Sequence, residues 1–287
     1  MSIADTDLVE VLRGGVSYKA TGTQINDFLS PPAVPYSATY LVVAGGGGGG
    51  SNTGGGGGAG GFLSGTVTFQ GGTAYSATVG GGGGAQANGA SSSLSGTGIT
   101  TVTSSAGGRG GSSEQNGTAG GSGGGGGYSD YMGANTIRAG GGGTSGQGNA
   151  GGAGSVGSDF IGIVSSGGGG GGAGSAGMNS EMGAFFVIQG GGGKANSITG
   201  GSITYSVGGN GGSTAPPSAT GAAGTNGRGN GGGGGGISSS GGRGGSGIVI
   251  LQVPTANYSG ITTGSPAISQ VGANTVIRFT GSGTYTA

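Results

Sequence analysis

The chain has no cysteine, no histidine and no tryptophan, and only 6% of its 287 residues are charged. Without cysteine there is no disulfide and no thiol nucleophile, so stability cannot come from cross-links. Without histidine the commonest metal ligand and general base is missing. Lys and Arg together number 8 and so do Asp and Glu, which leaves no net field to gather nucleic acid or an anionic membrane. Hydrophobic residues make up 31% of the chain, too small a share for an oil-like core of ordinary size. Apolar runs such as Ile248 to Leu251 fall far short of the ~20 residues that span a bilayer. The opening MSIADTDLVE has neither the basic start nor the apolar stretch of a signal peptide, so no export signal is expected there.

What is present is glycine, 90 residues of it. It comes in runs: Gly45 to Gly50, Gly54 to Gly58, Gly80 to Gly84, Gly123 to Gly127, Gly140 to Gly143, Gly167 to Gly172, Gly190 to Gly193 and Gly231 to Gly236. A short apolar strand, YLVVA from Tyr40, leads into the first run, and the last region leads back into another, GIVIL ending at Leu251. Ordering a glycine costs about 1–2 kcal/mol of backbone entropy, and there is no side chain whose burial offsets it. A flexible linker is therefore the alternative to be beaten. It is opposed by regularly interposed apolar segments, Phe160 to Val164 and Phe185 to Ile188 among them.

Glycine order requires backbone packed on backbone. A chain without Cβ atoms in the extended threefold helix approaches its neighbours closely on every side, and because that helix has no internal hydrogen bonds its neighbours must supply all of them. One run cannot satisfy this; an array of similar runs can. The expected fold is mostly β and polyglycine II, with a β-clad bundle of polyglycine helices across residues 36–253.

Residues 1–35 form a different module by composition. They hold Asp5, Asp7, Glu10, Arg13, Lys19 and Asp27, and no further charge appears until Arg109. The spacing predicts strands over Leu8 to Leu12 and Val16 to Ala20 about a Gly14-Gly15 turn, then a short helix over Gln24 to Leu29 capped by Thr23 and stopped by Pro31-Pro32. Thr66 to Phe69 and Tyr75 to Val79 read as a hairpin, and Ile99 to Val102 as a further strand. Residues 254–287 are expected to end in a β-hairpin, Thr275 to Thr280 with Thr284 to Thr286, returning to pair beside Tyr40 to Val43.

The opening YLVVAGGGGGG, the following GGGGAGGF, YSATVGGGGG from Tyr75 and the closing GGSGIVIL together resemble the glycine-rich domain of tailed-phage fibre and receptor-binding proteins. The resemblance covers Tyr40 to Val253, and extends in glycine-run architecture alone to polyglycine-core tip adhesins. DTDLVEVLRGGVSYKATG resembles the short N-terminal module of marine phage structural proteins, cyanophages above all. A strand like FTGSGTYT commonly precedes YLVVAGGG in the family, so its C-terminal place here is a departure. The resemblance implies a virion protein of the tail fibre or tail tip, made in the host cytoplasm, with residues 1–35 holding other fibre, tail or baseplate proteins. It implies contact with a host surface glycan or outer-membrane protein. The alternative is a purely structural virion subunit, such as a head fibre, baseplate or fibre-linking protein. A homotrimer and a single chain both remain open.

Contact residues are expected in the inserts between glycine runs, because binding concentrates in loops on rigid scaffolds. The first candidate insert supplies Tyr128, Asp130, Tyr131, Asn135 and Arg138: flat amphipathic rings beside hydrogen-bonding groups. The second supplies Met178, Glu181 and Met182, with a buried strand over Phe185 to Ile188 as its alternative. Arg109, Arg228 and Arg243 sit in glycine settings like those of RNA-binding segments, but at zero net charge a structural role is expected, donating to glycine carbonyls where runs end. Scattered GxGxxG matches lie in no βαβ unit, and the run before Lys194 lacks the P-loop's first glycine and final Ser/Thr. Glu114, Asp130, Asp159 and Glu181 occupy four separate inserts, so no paired carboxylates for glycoside hydrolysis and no calcium loop are expected. The sequence therefore predicts no enzyme, no cofactor and no metal.

Overall fold

A computed structural model describes residues 8–13, 16–21, 34–130, 137–157, 165–181, 188–214 and 219–287. It is nearly all β, in open antiparallel sheets with long stretches between them that belong to no strand or helix. Near the N-terminus β1 (Leu8–Arg13) and β2 (Val16–Thr21) pair antiparallel, Arg13 opposite Val16, as the Gly14-Gly15 spacing predicts. The short helix expected over 24–29 lies outside the described residues.

Two sheets form the near end of the main body. The first has five strands in the order β13 (Ala267–Val271), β14 (Asn274–Phe279), β12 (Ile248–Pro254), β3 (Tyr36–Val43), β4 (Phe62–Phe69). The second has four, in the order β15 (Gly283–Thr286), β5 (Ala74–Thr78), β6 (Ser92–Gly96), β7 (Val102–Ser104). Between them lies a core of Ala38, Val42, Phe69, Tyr75, Leu94, Val249, Leu251, Ile277, Phe279 and Tyr285. The other face of the five-stranded sheet buries Leu41, Val43, Phe62, Ile248, Ile250 and Val276 under Ala173 and the hairpin of β10 (Lys194–Asn196) and β11 (Ile203–Tyr205). Strands covered on both faces read as unbroken apolar runs. That is why YLVV and IVIL do not alternate.

Two sequence expectations are corrected here. Thr66 to Phe69 and Tyr75 to Val79 do not pair as a hairpin, because β4 lies in the first sheet and β5 in the second. Likewise β14 and β15 are not a hairpin: β14 pairs with β12, and β15 pairs with β5. The strand next to β3 on that side is β12, in register from Ile248 opposite Val43 to Gln252 opposite Thr39. With β4 on its other side, β3 has no free edge for the C-terminus to take. The strand expected at 99–102 begins only at Val102, and β6, β10, β11 and β13 were not foreseen.

The glycine runs leave these strands and return to them, forming pairs that begin 44–50 with 54–61 and end 230–236 with 239–247. Their bonding repeats every three residues. In the 44–50 run, Gly45 and Gly48 donate to the carbonyls of Ala90 and Ala87, Gly46 and Gly49 to Gly245 and Gly242, and Gly47 and Gly50 to Gly58 and Gly55. The carbonyls of Gly45 and Gly48 accept from Gly107 and Gly110, those of Gly46 and Gly49 from Gly83 and Gln86, and those of Gly47 and Gly50 from Gly232 and Gly235. These bonds measure 2.8–3.0 Å. One run is thus bonded to six others, and each third residue faces the same neighbour. This is the bonding that a threefold extended chain needs from its surroundings.

The same period governs space. A Cβ placed on Gly47 or Gly50 would stand 2.2 or 2.0 Å from the carbonyl oxygen of Gly108 or Gly111, and one on Gly56 would stand 1.9 Å from that of Gly209. None of these three has a positive φ. Glycine is required there by the approach of another backbone, not by its own dihedral freedom. Gly81 shows the converse at the lattice edge, with nothing within 4 Å of an added Cβ.

Gly56→Ala should therefore cost about 3 kcal/mol or more, since the obstructing atom is a bonded backbone carbonyl. Gly81→Ala should be neutral or stabilise by roughly 0.4–1 kcal/mol. Chemical denaturation of both variants checks the pair; equal losses would mean that the runs are not closely packed.

In the core between the sheets, the Tyr36 and Tyr285 hydroxyls meet at 2.7 Å, and Tyr36 packs edge-on against Phe69. Burial, then this hydrogen bond, push the Tyr36 phenol well above its ordinary range. Burial also raises Tyr258, which stacks on Tyr285. A raised folded-state pKa makes its stabilisation complete below the unfolded value of about 10 and lost as pH climbs from there toward the folded value. The melting temperature should accordingly fall above about pH 10, and Tyr36→Phe should flatten that fall.

Candidate functional site

Each outgoing glycine run ends at the face opposite the sheets. Four of the connections there are tight turns, at 51–53, 85–86, 113–114 and 237–238. Every one holds a non-glycine residue in the left-handed region: Asn52 and Thr53 (φ 54 and 56), Gln86 (60), Glu114 (62) and Ser238 (52). Thr53 is the costliest, because a β-branched residue is a real outlier there. It is 1% exposed, donates to the Gly236 carbonyl, and accepts from Tyr128. Side chains tie the turns together: Gln86 Nε2 donates to Ser51 Oγ at 2.9 Å, Ser112 Oγ to Gln86 Oε1 at 2.9 Å, and the Ser238 amide to Asn52 Oδ1 at 3.1 Å.

The other four connections at this face are longer and leave from runs that are lattice neighbours. Their stems are the described residues on either side of 131–136, 158–164, 182–187 and 215–218. The stems are bonded to one another. β8 (Ser129–Asp130) pairs parallel with β9 (Val156–Gly157). The Ser155 amide donates to the Ser166 carbonyl, and Ser166 bridges Ser213. Thr214 donates to the Ser165 carbonyl, and Ser180 to that of Ala153. Ser129, Ser155, Ser165 and Ser166 are all buried. Small polar residues fit here because the last turn of a packed run has little room and still has backbone groups to satisfy.

Against this geometry the expected contact residues separate. Tyr128 is 6% exposed, its amide held by Thr53 and its carbonyl by Glu114. It closes the lattice and offers no free ring, a correction to its expected role. Arg138 is half-buried and ion-paired with Glu114, which also accepts from Ser129 Oγ at 3.2 Å. Arg138 therefore braces the stem of the first insertion. Asp130 is placed by its β8 pairing; Tyr131, Asn135 and Met182 lie outside the described residues. Met178 (48% exposed) and Glu181 are open to solvent on the stem of the third insertion. Ile188, from the apolar segment of that insertion, is 1% exposed and belongs to the interior. Ile137 and Ile237, not singled out from sequence, are large apolar side chains exposed at 62% and 45%.

The three structural arginines are also placed differently. Arg109 Nη1 donates to Gln115 Oε1 at 3.2 Å, and Arg228 Nη1 to the Thr204 carbonyl at 3.2 Å in β11; Arg243 is exposed. Neither of these two bonds goes to a glycine carbonyl. Among the described residues no group of acidic side chains is placed to hold a metal ion, and no helix is long and apolar enough to cross a membrane.

A family model described as a glycine-rich domain matches residues 21–254, most of the chain. The protein belongs to this glycine-rich domain family. No curated protein and no solved structure matches it. The matched segment begins at the last residue of β2 and ends with β12, so it takes in the bracketing strands and all the glycine runs.

Glu114→Gln should lower stability by no more than about 1 kcal/mol, since the pair with Arg138 is only partly shielded. It should also erase most of the salt dependence of melting that wild type shows between low and high ionic strength. Thermal melts at the two salt concentrations read both effects.

Proposed function

We propose that this protein is a tail-fibre or tail-tip component of a tailed phage that attaches to the host surface through the insertions at the far end of its glycine lattice. The reading rests on one observation above the others. Four long insertions leave from a single patch of mutually bonded stems, at the face opposite the sheets. A backbone lattice has almost no side-chain freedom to lose, so it holds such stems rigidly, and loops can vary there without touching the fold. Glu181, Ile137 and Ile237 are among the described side chains exposed at this face, and Met178 is exposed lower on the stem of the third insertion. The N-terminal hairpin would be the virion-attachment end, and the protein would work as a binder without catalysis.

A second reading, a structural virion subunit with no receptor of its own, draws on the burial of Tyr128 and the pairing of Arg138. Tyr128 and Arg138 are both engaged within the fold, which favours a scaffolding part for them. One experiment separates the readings. Fluorescently labelled full-length protein is applied to a panel of bacterial strains, alongside four variants in which 131–136, 158–164, 182–187 or 215–218 is replaced by a short Gly-Ser linker. Attachment predicts binding to a subset of strains, with at least one variant losing tenfold or more while its melting temperature holds. Binding to no strain would leave the structural subunit, and strain binding kept equally by all four variants would overturn attachment through these insertions.

A further inference from the structure

At the other end of the lattice, where it meets the five-stranded sheet, a cavity of about 260 Å³ is lined by Ile203, Tyr205, Asn226, Arg228, Ile248, Arg278 and Thr280, with Gly227 at its edge. Three separate parts of the chain build it. Tyr205 ends β11 and Arg278 lies on β14, on the face that carries Val276, while Asn226 and Arg228 come from the turn that reverses the chain between the 219–225 and 230–236 runs. The chain has only 8 basic residues, and two of them converge on this one small cavity.

Neither arginine has a carboxylate partner among the described residues, where the ion pair is Arg138 with Glu114 at the opposite face. Arg228 spends one nitrogen on the Thr204 carbonyl, and Arg278 extends from an exposed position. Tyr205 is 2% exposed as a whole residue and lines the cavity. A phenol whose ring is buried against a cavity can offer its O–H there. Tyr205, Arg228 and Arg278 line the same cavity; burial pushes this phenol above its ordinary range, and both guanidiniums pull against that shift.

From this arrangement we infer that the cavity is a binding site for the carboxylate of an acidic sugar, a single uronic acid residue. Two guanidiniums that lack a counter-charge are matched to a planar carboxylate, which each can grip through paired N–H groups. The Tyr205 hydroxyl supplies a third donor from the buried side. Ile203 and Ile248 give an apolar wall for the C–H face of a sugar ring; of the exposed lining residues, Thr280 offers its hydroxyl and Asn226 its Nδ2 group, since Asn226 Oδ1 already accepts from the Ser246 amide. The volume lies just under the range for drug-sized ligands, which limits the occupant to one small ring.

The site is independent of the far-face insertions, so the failure of one reading does not carry to the other. Calorimetric titration of the full chain with glucuronate, glucose, acetate and N-acetylglutamate, repeated on Arg278→Gln and Tyr205→Phe, is the test. The expected result is measurable binding of glucuronate, at least tenfold tighter than acetate or glucose. Binding should weaken about tenfold or more in Arg278→Gln and several-fold in Tyr205→Phe, and fall as salt rises. Melting curves confirm that both variants fold; if Arg278→Gln does not, Tyr205→Phe decides alone, since it removes one oxygen. Absent glucuronate binding, or binding unchanged in folded variants, overturns the proposal. Acetate binding as well as glucuronate, or tighter binding of N-acetylglutamate, overturns its sugar specificity in favour of a simple or protein carboxylate.

Discussion

The structure depends on one interaction: a backbone amide bonded to a neighbouring backbone carbonyl at a separation that leaves no room for a Cβ between the chains. Everything distinctive follows from it. A hydrophobic core gains by removing apolar area from water, and it tolerates exchange among residues of similar volume. The lattice has no such currency. Gly47, Gly50 and Gly56 bury no side chain, and what holds them is that the amides of the 44–50 and 54–61 runs, and the carbonyls of Gly45 to Gly50 and Gly54 to Ala59, find partners in other runs. Removing one run would leave its neighbours with buried unpaired groups, each costing about 1–3 kcal/mol. The lattice is therefore cooperative to a degree that its composition hides.

Such a lattice cannot begin by itself, because nothing in a run of identical residues says which run should lie beside which. The sheets supply that information. β3 and β12 have side chains on both faces, and their register, Ile248 opposite Val43, sets where the 44–50 and 239–247 runs start relative to each other. The aromatic group of Tyr36, Phe69, Tyr75 and Tyr285 then locks β3, β4, β5 and β15 together across the two sheets. This divides the labour. Side-chain chemistry at the near end specifies the alignment, and backbone hydrogen bonds carry that alignment to the far end.

The same division explains what could be read in the sequence. The bracketing strands were legible because YLVV and IVIL are apolar and flanked by glycine, and the glycine order was legible because its runs are many and alike. The pairing of strands was not. Thr66 to Phe69 and Tyr75 to Val79 have the alternation and turn of a hairpin, but Phe69 and Tyr75 face each other from two different sheets, 4.1 Å between ring centroids. Alternation reports a buried face and not the strand beside it. β6 and β10 escaped notice because Ser92, Ser93 and Lys194 to Asn196 carry no apolar signal; they become strands through the neighbours they meet. At the far face Tyr128 was misread for a related reason. Its position after Gly127 marked it as the start of a loop, whereas its amide and carbonyl are still bonded to Thr53 and Glu114, and the bonding runs on into Ser129.

Evolutionary freedom in such a molecule is unevenly spread, and the spread is the physical argument for function at the ends. A substitution at most lattice glycines meets a carbonyl oxygen about 2 Å away, so the interior cannot be tuned. In the tight turns Asn52, Gln86, Glu114 and Ser238 are exposed. Where the chain has a choice, it makes tight turns with left-handed residues at 51–53, 85–86, 113–114 and 237–238, showing that a run can be reversed in two or three residues. The four longer insertions are thus not needed to close the lattice. Extra chain that closure does not need, gathered on one patch of stems that the lattice cannot let move, is what a recognition surface requires: positions free to vary on a support that is not.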